Sequence, residues 1–237
     1  MQHETKSRAL GRFINVTGVA MLSLSVLLLL LTQYGNLDLI RLQYVELTDK
    51  LYEIQLAVAS LDAKWMIVII IELLFTLKSV LPIPLSFMFV ITGMVFPYTE
   101  AVIINAVGMA LLMSIRYLWG VRFNIGKLDK KLVSSAIIRK TFETKYGKGM
   151  ILLLTRLIPW TPTNKISRIY GAEQYPFDRY LLISLIGYSP KILSYSKIGR
   201  SIYNPISYEF LAPVIVLFAI GGVSLMIFGA IFYRVDR

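Results

Sequence analysis

Between residues 13 and 34 the chain is largely apolar for about 22 positions, enough for one helix to cross a bilayer. Stretches 99–121, 178–198 and 211–233 show the same pattern, and each predicts a spanning helix of roughly 20 residues. Segment 37–62, "LDLIRLQYVELTDKLYEIQLAVASLD", sets apolar residues at helical spacing among many charges. It predicts an amphipathic helix lying against the protein or the membrane surface. Two other apolar stretches are interrupted. In 65–97 the run "WMIVIIIELLFTLKSVL" stops at Pro82-Ile83-Pro84, and a second run, "LSFMFVITGMVF", ends at Pro97. In 149–176 the run "MILLLTRLIPW" covers about half a bilayer before Pro162. Proline cannot donate to the helix ladder, so both stretches predict hairpins that enter, turn and leave on the same side. Irregular backbone at that depth is tolerated only inside protein or beside a water-filled cavity.

Charge orients these elements. Residues 122–148 carry eight Lys and Arg against Asp129 and Glu143, which places this loop in the cytoplasm. With two re-entrant hairpins and four spans, the basic N-terminal tail, this linker and the C-terminal Arg234 and Arg237 all fall on that face. The acidic segment 37–62 falls outside. Composition agrees: 56% of the 237 residues are hydrophobic, with a mean hydropathy of +0.65, values of an integral membrane protein. The net charge of +11 is accounted for by orientation and contact with anionic lipid, not nucleic acid. The first apolar run is too long for a cleaved signal, so it is read as an uncleaved helix, with a removed signal anchor as the alternative. A bacterial plasma membrane with both termini cytoplasmic is expected, and a eukaryotic endomembrane is the alternative.

The prolines and glycines repeat. The series Pro84, Gly93, Pro97, Gly108, Gly120 has intervals of 9, 4, 11 and 12; Pro162, Gly171, Pro176, Gly187, Gly199 has 9, 5, 11 and 12. A cation stands six residues before each leading proline, Lys78 and Arg156. Each half holds a hairpin, with no net crossing, and one span, so the halves run in opposite directions. The expected fold is an all-α polytopic membrane protein. Its core is an inverted-topology repeat of re-entrant hairpin plus transmembrane helix, with flanking transmembrane helices. Its parts are the tail and first helix (1–36), the outer segment (37–62), the core (63–200) and a C-terminal helix (201–237). The repeat halves within the core are 65–121 and 149–200. Broken helices in matching places are the signature of transporters, with the site between the halves. Pro82 and Pro84 would then approach Pro159 and Pro162 from opposite leaflets.

Chemistry is concentrated in the hairpins. Burying the Arg156 guanidinium in hydrocarbon costs roughly 2.5 kcal/mol or more unless it is paired or hydrated. Either it reaches the surface or freed carbonyls, or it lines a polar cavity where its fork suits a phosphate. Lys78 is its counterpart in the first half. Glu72 is the intramembrane carboxylate, either a proton carrier or a structural partner of Arg156. Asn164 caps the outgoing half-helix or faces a substrate, capping being the simpler role. Arg116 is expected to snorkel, and Lys191 to follow a helix break at Ser189-Pro190. With no cysteine, and His3 the single histidine, disulfides, thiolate nucleophiles and the usual metal sites are excluded. No phosphate-binding Gly-Lys loop or nucleophile elbow is present, so neither catalysis nor a cofactor is expected.

The stretch "RLIPWTPTNKISRIYGAEQYPFDRYLLISLIGYSPKILSYSKIG" resembles the core of the DedA superfamily, also called the VTT-domain or SNARE-associated Golgi protein family. It is most similar to the late-Golgi vesicle protein branch. The likeness covers about residues 65–200 and is more specific in the second half. It implies two facing re-entrant hairpins and lipid flipping or scrambling between leaflets, with possible proton coupling. It assigns Arg156 as the membrane arginine, Gly93 and Gly171 as the glycines ending the hairpins, and Glu72 loosely as an acidic residue before the first tip. Two positions depart from the family: "PIPLSF" carries no acid, and Pro162 stands where one branch has a second arginine. The expected function is leaflet-to-leaflet movement of a phosphate-bearing lipid, a phospholipid or polyprenyl phosphate. Arg156, Pro159, Pro162, Asn164, Lys78, Pro82 and Pro84 would form the site, with Glu72 as proton or counter-charge group and Gly93 and Gly171 as hinges. A small-solute or ion transporter and a non-transporting scaffold are the alternatives.

Overall fold

Helices form where the apolar runs predict them, and prolines mark the hairpin tips. The structure, a computed structural model, describes residues 2–34, 49, 52–53, 56, 64–123, 147–159, 161–205 and 207–235. Among these residues the elements are α1 (Gln2–Tyr34), α2 (Lys64–Leu77), α3 (Leu85–Val95), α4 (Tyr98–Phe123), α5 (Gly147–Leu157), α6 (Thr163–Ala172), α7 (Phe177–Arg200) and α8 (Tyr208–Val235). The amphipathic segment 37–62 and the basic linker 122–148 lie almost wholly outside the described residues.

Among the described residues three helices are long and apolar enough to cross a membrane, over Gly11–Tyr34, Tyr98–Phe123 and Tyr208–Ile231. The fourth expected span, α7, has the length at 24 residues, but Asp178, Arg179, Lys191 and Lys197 reduce its apolar character. The break expected at Ser189-Pro190 is absent, because α7 runs through Pro190 as one helix. A proline removes one ladder bond, and neighbouring groups in a membrane bundle can satisfy the freed carbonyl. By contrast, α2, α3, α5 and α6 have 14, 11, 11 and 10 residues. At about 1.5 Å per residue none reaches across a hydrocarbon core of about 30 Å.

The inside and outside of these helices are reversed relative to a soluble protein. Ile103, Val107, Leu111 and Leu118 are exposed on α4, while Asn105 and Arg116 of the same helix are buried. On α7, Leu182 and Ile186 are exposed while Ser184, Ser194 and Ser196 are buried. Apolar stripes of this kind suit a lipid surround, and buried polar groups need partners inside the protein.

The chain forms two compact units. One comprises Met1–Leu24, Met113–Tyr188 and Phe218–Arg237, and the other Ser25–Leu112 and Ser189–Leu217. In the first unit α5 and α6 form an antiparallel hairpin. Tyr170 donates from the end of α6 to the Lys148 carbonyl at the start of α5 (2.6 Å), and Lys148 pairs with Glu173 (2.9 Å). At the other end, Thr161 donates to the Thr155 carbonyl (2.6 Å). In the second unit α2 and α3 touch, with the Phe75 and Phe89 rings 5.9 Å apart.

The repeat seen in sequence recurs as geometry. Pro84 and Pro162 both occupy the position that begins the second arm of a hairpin, α3 and α6. Each first arm packs on the span of its own half, through Phe75 against Gly108 and through Arg156 against Gly187. Each second arm packs on the span of the other half. A Cβ on Gly93 would collide with the Ser196 carbonyl, and one on Gly199 with the Val90 carbonyl. In the first unit, Gly171 meets the Tyr117 carbonyl and Gly120 the Arg168 carbonyl. Val90 and Arg168 both lie six residues after their leading proline, and Ser196 and Tyr117 three before their terminal glycine. Gly93 and Gly171, expected as hinges, therefore stand inside helices where the missing side chain permits backbone contact. The one-residue insertion is also located. Gln174 adopts a left-handed conformation (φ 51°), and Tyr175 N–H returns to the Tyr170 carbonyl (3.1 Å). This closes α6 with a Schellman turn, in which glycine is the usual residue.

Candidate functional site

Arg156 ends α5 with its side chain fully buried. A guanidinium offers five N–H donors, and four hydrogen bonds engage it. Nε donates to Ser184 Oγ (3.3 Å) and Nη1 to the Thr163 carbonyl (3.3 Å). Nη2 donates to Ser167 Oγ (2.9 Å) and to the Tyr180 hydroxyl (3.2 Å). The rings of Tyr180 and Tyr188 lie 5.8 and 5.6 Å from the guanidinium carbon, within cation–π range. Tyr188 also bonds Thr163 through their hydroxyls. Every one of these partners is neutral, and among the described residues no carboxylate pairs with Arg156. Four of its five donors are used while no carboxylate among the described residues offsets its charge.

The cage comes from two short stripes. Tyr180, Ser184 and Tyr188 follow one another at four-residue intervals on α7, and Thr163 and Ser167 do so on α6. Residues four apart share a helix face. Sequence reasoning singled out Arg156 but none of these five. The available signal was the hydroxyl periodicity within an otherwise apolar helix.

The remaining expected residues are distributed as follows. Pro159 packs on α8, where a Cβ on Gly221 would lie 2.7 Å from its Cδ. Pro162 holds the cap position of α6 and makes no side-chain cap. Asn164 does not cap that helix, because it already lies inside the first turn, and its Oδ1 is buried with no hydrogen-bond partner. Pro82 and Pro84 are exposed at the first tip, and Lys78 is half-buried just after α2. Glu72, on α2, has its Oε2 buried with no hydrogen-bond partner. Arg116 does not snorkel; it is buried and stacked on Trp119. Missed entirely was Asn105, which donates to the Phe89 carbonyl (3.2 Å) and Ser196 Oγ (2.9 Å). Asn105 and Ser184 each lie three residues before a repeat glycine, Gly108 and Gly187. The two polar clusters are thus anchored at equivalent positions.

Residues 83–201, just over half of the chain, match the VTT domain. The chain belongs to the VTT-domain family. The matched part of this VTT-domain protein starts at the first hairpin tip and ends just past α7, so it holds the second arms, the intervening helices and the Arg156 cage. VTT-domain proteins are membrane-associated and commonly linked to lipid or transport roles. With its three apolar helices, this VTT-domain protein is an integral membrane protein. No curated protein and no solved structure matches the chain.

Proposed function

We propose that this VTT-domain protein moves a phosphate-bearing lipid, a phospholipid or polyprenyl phosphate, between leaflets as a flippase or scramblase. It catalyses no covalent reaction and uses no cofactor in this reading. The observation that carries it is the buried Arg156 charge, held by four neutral partners and no carboxylate among the described residues. Neutral hydroxyls satisfy N–H groups without cancelling a charge, so the site retains affinity for an anion in a low-dielectric setting. The unpartnered Asn164 Oδ1, two residues beyond Pro162, adds an acceptor for a donor-bearing headgroup. Arms too short to cross a bilayer support the re-entrant reading, in which the headgroup meets the hairpins while the tails stay in lipid. Glu72, with its unpartnered oxygen, is the group that would carry a proton or a counter-charge. In this reading both termini are cytoplasmic, an orientation the basic linker supports, and the membrane is a bacterial plasma membrane, with a eukaryotic endomembrane as the alternative.

A scaffold reading also has one observation in its favour, because Arg156 is sealed and uses four of its donors. Reconstituted vesicles separate the two. Arg156→Ala is expected to lower translocation of a fluorescent phospholipid at least tenfold, with unfolding temperature measured on the same preparation. A folded variant that translocates at the wild-type rate would refute the transport reading. Uptake of small solutes or ions without lipid movement would transfer the site to that substrate class.

A further inference from the structure

Arg116 lies in the last two turns of α4, a helix apolar enough to span, yet it is only 8% exposed. Its guanidinium carbon stands 5.1 Å from the centroid of the Trp119 ring. Its Nε is buried and has no hydrogen-bond partner. A buried donor left unmade opposes folding, and more so when the group is charged.

A second cation is held beside it. α6 lies directly on α4 where Gly120 meets the Arg168 carbonyl and Gly171 meets the Tyr117 carbonyl. That contact brings the Arg168 backbone of α6 to within one turn of Arg116, which sits four residues before Gly120, and the positive charge of Arg168 is felt at Arg116. Backbone contact at two glycines leaves α6 little freedom to withdraw. The fold therefore holds the two helices that carry these positive groups together, and Arg116 keeps an unused buried donor.

We propose that Arg116 and Arg168, flanked by Trp119, form a binding site for a phosphate group, separate from the Arg156 cage. A tetrahedral oxyanion offers several acceptors, so it can accept a hydrogen bond from the Arg116 Nε–H while its charge complements both guanidinium groups. Guanidinium suits this role because its planar fork matches phosphate geometry. Tryptophan beside it is the aromatic residue enriched at membrane–water interfaces, where headgroup phosphates lie. The four hydrogen bonds of Arg156 go to Ser184, Thr163, Ser167 and Tyr180, and Trp119 is not among these partners. The site goes beyond the transport reading, since binding here does not require that any lipid be translocated.

The test uses the full chain purified in detergent and titrated with three probes. Dioleoyl phosphatidic acid carries the phosphate, dioleoylglycerol has the same tails without it, and inorganic phosphate has no tails. Affinity is read by native mass spectrometry and by the shift in unfolding temperature. The expected result is at least a tenfold preference for phosphatidic acid over dioleoylglycerol, reduced to less than threefold by Arg116→Gln and by Arg168→Gln. Inorganic phosphate binding as tightly as phosphatidic acid, and equally sensitive to both substitutions, would identify soluble phosphate as the ligand. Binding of phosphatidic acid alone would identify a lipid headgroup. If Arg116→Gln does not fold, Arg168→Gln on the less buried partner gives the same reading. Equal binding of phosphatidic acid and dioleoylglycerol overturns the proposal, as does a phosphate preference that survives both substitutions. A failed translocation assay leaves these outcomes unaffected, so the two readings stand or fall separately.

Discussion

Around Arg156, the loss of one hydroxyl should cost more than an average hydrogen bond. Ser167→Ala removes the shortest of its four bonds and leaves a buried charged donor unmade, so a loss of about 1–3 kcal/mol is expected in detergent unfolding. Two asparagines give a sharper comparison. Both carry a buried Oδ1 with no hydrogen-bond partner, but the Asn105 amide nitrogen also donates twice to buried groups. Asn105→Leu should therefore destabilise by about 2–3 kcal/mol. Asn164→Leu should leave unfolding within about 0.5 kcal/mol of wild type or raise it, because an orphaned polar atom is removed. If translocation nevertheless falls in Asn164→Leu, that oxygen faces the substrate. Arg156 was legible in the sequence because a charge inside an apolar run needs an explanation. Its partners were not, because serine and tyrosine are unremarkable in membrane helices unless their four-residue spacing is tested.

Among the elements, the hairpins were the most legible, since proline and glycine constrain the backbone wherever they occur. The matched intervals gave five equivalent positions, and the structure uses those glycines for matched close contacts. What periodicity could not supply was the partner of each arm. An apolar stripe tells that a face is buried, not against which helix. The same limit explains Gly93 and Gly171, where a glycine ending a hairpin reads as a pivot until the neighbouring backbone is seen. Gly171→Ala is expected to separate α6 from α4 and lower stability by about 1–3 kcal/mol or more, measured by unfolding and by protease sensitivity of residues 147–172. At Gln174 the opposite change should help. Gln174→Gly relieves the left-handed strain and is expected to raise stability by up to about 1 kcal/mol in the same unfolding assay.

For the whole molecule, the exchange of second arms ties the two repeat halves together. α3 needs the end of α7, and α6 needs the end of α4, so neither half supplies a complete set of contacts. A chain cut at residue 130, within the linker between α4 and α5, should give two fragments that are degraded when expressed singly. Co-expression should restore a complex that co-purifies in detergent; stable single fragments would argue against the exchange. The same exchange sets an order on synthesis. Tyr117 and Gly120 have already been made when α6 leaves the ribosome, so the second hairpin docks on a finished surface. Gly93 must wait for Ser196, about 100 residues later, which at about 5–20 residues per second is roughly 5–20 s. Throughout that interval the glycine face of α3 has no partner of its own chain. The first hairpin is thus an early-made part and a late-finished one, and its quality is decided only when the last helix of the VTT domain arrives.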